Sequence, residues 1–157
     1  MIRFIGLIAG AAFIGAFAGT LLWINGRGAW FVTRYSHLPS FALSLSLTYI
    51  LWLLAYGLLG AAVPLTVIME KHHRRNCLPA VAILLISYIL VLLWYPLFYS
   101  AQFVLAALFV LFLAAAAIVV FFFKAIRKSL WLTMISIAVL LIQIYFICFT
   151  LSFFLLN

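Results

Sequence analysis

Polar residues arrive in short clusters along this chain, and long apolar runs separate them. The clusters are Asn25-Gly26-Arg27-Gly28, then Glu70 through Asn76, then Tyr99-Ser100-Ala101-Gln102, then Lys124-Ala125-Ile126-Arg127-Lys128. The runs between them are continuous and do not alternate in polarity, so they do not read as barrel strands. Each is long enough, at ~1.5 Å of rise per residue, to cross ~30 Å of hydrocarbon as a helix. A helix also satisfies its own backbone hydrogen bonds where no water can. The pattern predicts an all-α membrane protein: a bundle of five transmembrane helices in one domain over residues 1–157, with spans at about Ile2–Ile24, Phe41–Met69, Pro79–Phe98, Phe103–Phe123 and Leu130–Leu156.

Two boundaries need an argument. The stretch Leu78–Phe123 is too long for one crossing, and its weak point is Pro96–Gln102, where a proline removes a backbone donor. The first run carries Arg3 and an Ala16-Phe17-Ala18 segment, as a cleaved signal peptide would. It is longer than a usual signal core, and its glycines have a packing use. Gly6/Gly10 and Gly15/Gly19 are spaced four apart, so each pair shares a helix face that lets backbones approach. A retained span is the expectation, packed within the bundle or against a second copy.

Composition strengthens this reading. The chain is 71% hydrophobic and 6% charged, against roughly a quarter charged in an ordinary soluble domain. Its net charge of +8 comes from clusters at span ends, without a basic stripe on a soluble face, which argues against nucleic-acid binding. With five spans, Arg3, Lys71, Arg74, Arg75, Lys124, Arg127 and Lys128 share one side, and Arg27 and Arg34 lie on the other. The positive-inside rule then places the N-terminus in the cytoplasm and the C-terminus opposite, in a membrane such as the bacterial inner membrane.

Little catalytic chemistry is on offer. Glu70 is the single acidic residue and aspartate is absent, which removes paired-carboxylate catalysis and a Ser-His-Asp triad. Glu70 reads as a headgroup-level ion pair with Lys71. Glu70, His72, His73 and Cys77 match no standard metal spacing, and the neighbouring cations oppose a metal, so none is expected. No glycine-rich phosphate loop is present, and no cofactor is implied. Cys77 and Cys148 fall at different depths, so a disulfide between them is not expected.

What remains is aromatic. Phe, Trp and Tyr make up 18% of the chain. Trp23, Trp30 and Trp131 fall near span ends, where interfacial anchoring is the default. Tyr49, Trp52 and Tyr56 share one face of the second span, extended by Ser44 and Gly60. On its own such a stripe is more often helix packing than a ligand wall, although a flat hydrophobic ligand would stack on it.

The stretch Trp94-Tyr95-Pro96-Leu97-Phe98-Tyr99 resembles the Trp-Ser-Pro-Leu-Phe-Phe signature of the TspO/MBR family, the translocator proteins or tryptophan-rich sensory proteins. Pro39-Ser40-Phe41 followed in register by Trp52, Tyr56 and Gly60 resembles the family's second span, and the terminal Leu156-Asn157 agrees as well. The chain departs from the pattern at Leu43-Ser44 in place of a double proline, at Val91 in place of an asparagine, and in the last span at Ala138-Val139, Ile142 and Phe149-Thr150. The acidic residue of the fourth span is absent, and a Trp-Tyr pair is at best displaced to Trp30-Phe31. The resemblance implies a five-helix bundle, often a homodimer, whose pocket takes porphyrins, sterols and related hydrophobes. It implies ligand contacts from Pro39, Phe41, Tyr49, Trp52, Tyr56, Trp94, Leu97, Phe98 and Tyr145. Light-dependent porphyrin degradation in the family uses two tryptophans. Trp52 matches one and Ile142 replaces the other, so binding is expected rather than catalysis. A ligand-free accessory or scaffold protein is the competing expectation, and Val91, Ile142 and Phe146 filling the cavity would favour it.

Overall fold

A computed structural model describes residues 10–14, 17, 39–72 and 78–157. The expected first span and the loop after it lie outside these residues, apart from the helical residues 10–14 and 17. The remainder forms α1 (Leu45–His72), α2 (Leu78–Tyr95), a π-helical turn (Pro96–Ser100), α3 (Val104–Ala125) and α4 (Leu130–Leu156). No strand occurs among the described residues. Among the described residues four helices are long and apolar enough to cross a membrane, which fits an integral membrane protein.

Burial follows a four-three spacing along each helix. On α4 the seam is Leu132, Ser136, Val139, Gln143, Phe146, Thr150 and Phe153; on α2 it is Ala80, Leu84, Ser87, Val91 and Trp94. A 3.5-residue repeat keeps one stripe facing its neighbours, as in left-handed bundles. The outer faces are as apolar as the core: Leu85, Ile86, Ile89, Phe109, Phe112 and Phe123 are all exposed. Water would not tolerate so continuous an apolar belt, whereas lipid does. Trp131 stands exposed on the first turn of α4, at a span end.

The second span begins four residues later than Phe41. Pro39–Ala42 closes a turn, with the Ala42 amide donating to the Pro39 carbonyl at 2.9 Å. Ser44 then acts as N-cap: its hydroxyl accepts from the Leu47 amide at 3.4 Å, which satisfies a donor that the first helical turn leaves orphaned. Ser129 caps α4 in the same way, accepting from the Leu132 amide.

Pro96, where the long apolar stretch was expected to break, widens the helix. Having no N–H, it cannot bond the carbonyl four residues back, and the chain turns π-helical. The Ala101 amide donates to the Pro96 carbonyl at 2.8 Å, and Phe103 to Leu97 at 2.9 Å. Gln102 exits the turn at φ 61°, a left-handed conformation that favours glycine.

Two further contacts tie the bundle. Glu70, 4% exposed, pairs with Lys128 from the α3–α4 turn, so its partner comes from a distant turn and not from the adjacent lysine expected from the sequence. At Gly60 a Cβ would lie 2.5 Å from the Ala11 carbonyl oxygen, so the segment 10–14 crosses α1 backbone to backbone. Among the described residues a Cβ at Gly10 would meet nothing within 4 Å. Gly6, Gly15 and Gly19 lie outside the described residues.

Candidate functional site

The sequence-predicted wall residues come mainly from α1, the α2–π junction and α4. Trp52 and Tyr56 are a turn apart on α1, with ring centroids 4.6 Å apart, edge to face. Trp52 lies 4.7 Å from Tyr95, and Tyr95 lies 4.5 Å from Tyr99. The π turn places Phe98 over Trp94, stacked at 5.4 Å. From α4, Phe146 approaches Trp94 at 4.7 Å, and Phe149 and Phe153 lie 5.9 and 5.4 Å from Phe98. Tyr145 joins through Phe146 at 5.4 Å and by stacking on Phe149 at 6.1 Å. Trp52, Tyr56, Trp94, Phe98 and Tyr145 are therefore linked in one continuous aromatic cluster.

The other predicted residues lie around it. Pro39 is buried, Tyr49 is half-buried, and Leu97 is partly buried against the core. Phe41 is 46% exposed. The Leu43 amide donates to the Tyr145 hydroxyl at 3.1 Å, which ties the Pro39–Leu43 segment to α4. Sequence reasoning did not assign Tyr95, Phe149, Phe153 or Thr150 to the site. Their signal was the four-three seam of the last span and the aromatic spacing through Pro96.

The cluster is closed. Trp52, Tyr56, Trp94 and Phe98 are each 0% exposed, and Val91, Ile142 and Phe146 are buried in the same core. Within it the Trp94 indole N–H donates to the Thr150 hydroxyl at 3.2 Å. Next to the cluster is a groove of about 480 Å³ lined by Gln102, Phe103, Ala106, Phe153, Phe154 and Asn157 among others. Phe153 belongs both to this groove and to the ring cluster. That volume is within the range of small-molecule sites.

Gln143 and Tyr56 each carry a buried polar group in this core that makes no hydrogen bond among the described residues. The Gln143 side chain is 1% exposed with both its Oε1 and Nε2 unpartnered, and the Tyr56 hydroxyl is likewise unpartnered. Among the described residues no cluster of His, Cys, Asp and Glu could hold a metal, and His73 and Cys77 lie outside them.

The fold and this site define a helical protein with apolar membrane-length spans and a packed aromatic core. Compared with known proteins, the chain matches no family model and no curated protein.

Proposed function

We propose that this chain is a divergent five-span membrane protein of the TspO/MBR type that binds flat hydrophobic ligands such as porphyrins, with its N-terminus in the cytoplasm. One observation carries the reading. Five of the nine residues chosen from the sequence as a ligand wall, Trp52, Tyr56, Trp94, Phe98 and Tyr145, belong to one ring cluster drawn from α1, α2, the π turn and α4. The adjoining groove, with Phe153 in common, offers that cluster an approach from the bundle end that carries Gln102 and Asn157. A planar ligand gains from stacking on such rings beyond simple burial.

The closure of the cluster favours a second reading, an accessory or scaffold protein that binds no ligand. Val91, Ile142 and Phe146, the residues expected to fill such a cavity, are buried in the core, which supports this second reading. Porphyrin degradation is a further alternative. Among the described residues the rings nearest Trp52 are the tyrosines Tyr56 and Tyr95, and illumination of a bound complex tests whether they support oxidation.

Equilibrium titration of protoporphyrin IX in the dark, followed by the shift of its absorption band on the purified protein, separates the readings. The binding reading requires a saturable shift. A linear, non-saturating response supports the accessory reading.

A further inference from the structure

We infer that Gln143, together with the Tyr56 hydroxyl, is the polar selectivity element of the binding site, and that the preferred ligand carries a neutral donor–acceptor edge such as a lactam or secondary amide. The inference rests on the binding reading above and adds the chemistry of the ligand.

The side-chain amide of Gln143 sits on the inward seam of α4 between Val139 and Phe146, and neither its oxygen nor its nitrogen has a partner among the described residues. Folded proteins rarely leave buried polar groups unpaired, and inside a bilayer no bulk water completes them. Serine and threonine in these helices solve the same problem locally: Ser136 donates to the Leu132 carbonyl and Thr66 to the Ala62 carbonyl. The Gln143 amide makes no such bond among the described residues.

Ring contacts place Gln143 level with Tyr56. Helices α2 and α4 run in the same direction, and Trp94 touches both Phe146 and Thr150. One turn before Phe146, Gln143 stands level with residues 87–91 of α2. Tyr88 in that turn lies 5.4 Å from the Tyr56 ring. The Glu70–Lys128 pair fixes the same register from the other end of α1 and α4. The core therefore holds an amide donor, an amide acceptor and a phenol at one depth, among rings.

This set suits one class of ligand. A primary amide pairs with a lactam through two antiparallel hydrogen bonds, its N–H to the ligand carbonyl and its oxygen to the ligand N–H. The phenol can serve a second lone pair of the ligand carbonyl. Among the described residues no cation is seen to line this set and neutralise a carboxylate, since Glu70, Lys124 and Lys128 lie together at the far end of the bundle. A charged group would stay unpaired there, which selects a neutral edge.

The test uses a matched pair of flat probes: 6(5H)-phenanthridinone, a tricyclic lactam, and its N-methyl derivative, which lacks the donor. Dissociation constants are measured for both, and for protoporphyrin IX, on the wild type, Gln143→Leu and Tyr56→Phe in detergent. The wild type should prefer the lactam by about ten-fold, the scale of one or two buried neutral hydrogen bonds. Gln143→Leu should abolish the preference while retaining the N-methyl compound, and Tyr56→Phe should reduce it. Ligand-free Gln143→Leu should also melt above the wild type, because an orphaned amide is removed; a merely structural glutamine would give the opposite shift. Saturable binding of any probe with equal affinity for the pair, or with a preference that survives Gln143→Leu, overturns this inference alone. Failure of all three ligands to saturate overturns the binding reading and this inference with it.

Discussion

Trp94 on α2 and Thr150 on α4 are joined by a 3.2 Å hydrogen bond from the indole N–H to the hydroxyl, at the centre of the ring cluster. Lipid offers helices no hydrophobic drive to associate, so packing and such polar bonds have to hold the bundle. Thr150→Val leaves the indole N–H buried without its acceptor and should cost about 1–3 kcal/mol. Thr150→Ser keeps the oxygen and should cost less. Thermal unfolding in detergent checks the order, and equal melting of Val and Ser variants would show that the bond contributes nothing.

Gly60 marks where the segment 10–14 meets α1. A methyl group there would lie 2.5 Å from the Ala11 carbonyl oxygen and 3.3 Å from the Ala12 Cα. Both are backbone atoms that cannot swing aside. Gly60→Ala should destabilise by about 1–3 kcal/mol through overpacking. Gly10→Ala, where the described structure leaves open space, should be near neutral or mildly stabilising through helix propensity. Melting temperatures of the two variants make the comparison.

The Glu70–Lys128 pair buries the one acidic side chain of the chain, and Glu70 Oε2 has no hydrogen-bond partner among the described residues. Removing Lys128 takes away the cation in direct contact with that carboxylate and leaves Lys124 in the same pocket. Lys128→Met should therefore cost about 1.5–3 kcal/mol, the scale of a charged hydrogen bond, whereas the double variant Glu70→Gln/Lys128→Met should recover most of it. A double-mutant cycle measures the coupling, and additive losses would refute the argument.

Gln102 holds a positive φ of 61° at the exit from the π turn. Gln102→Gly should relieve this conformation and stabilise by up to about 1 kcal/mol, offset in part by the greater freedom of glycine in the unfolded chain. Urea or thermal titration in mild detergent would detect it.

Much of this architecture was readable from periodicity. The last span was expected at Leu130–Leu156 and runs over those residues, because a serine cap and an uninterrupted apolar run leave no other choice. The α1 start was misplaced at Phe41 because Pro39 drew the boundary, while Ser44 supplies the cap. Pro96 announced a break, but whether a helix stops or widens depends on which amides find carbonyls further along, which spacing alone does not reveal. Glu70 has an adjacent lysine in sequence, yet the ion pair joins it to Lys128, brought near by the antiparallel return of the chain. Gln143 was not singled out from the sequence. Its signal was the recurrence of Ser136, Gln143 and Thr150 every seven residues on the face that the fold turns inward.

The central claim is ligand binding at the aromatic cluster, and the most direct measurement is tryptophan-fluorescence quenching by protoporphyrin IX in the dark. The purified protein is titrated beside Trp52→Phe and Trp94→Phe, with Trp131→Phe, a change at an exposed ring on α4, as the control. The account predicts saturable quenching that weakens in the two core variants and persists in the control. Quenching that never saturates, or that is unchanged by Trp52→Phe and Trp94→Phe, would contradict it.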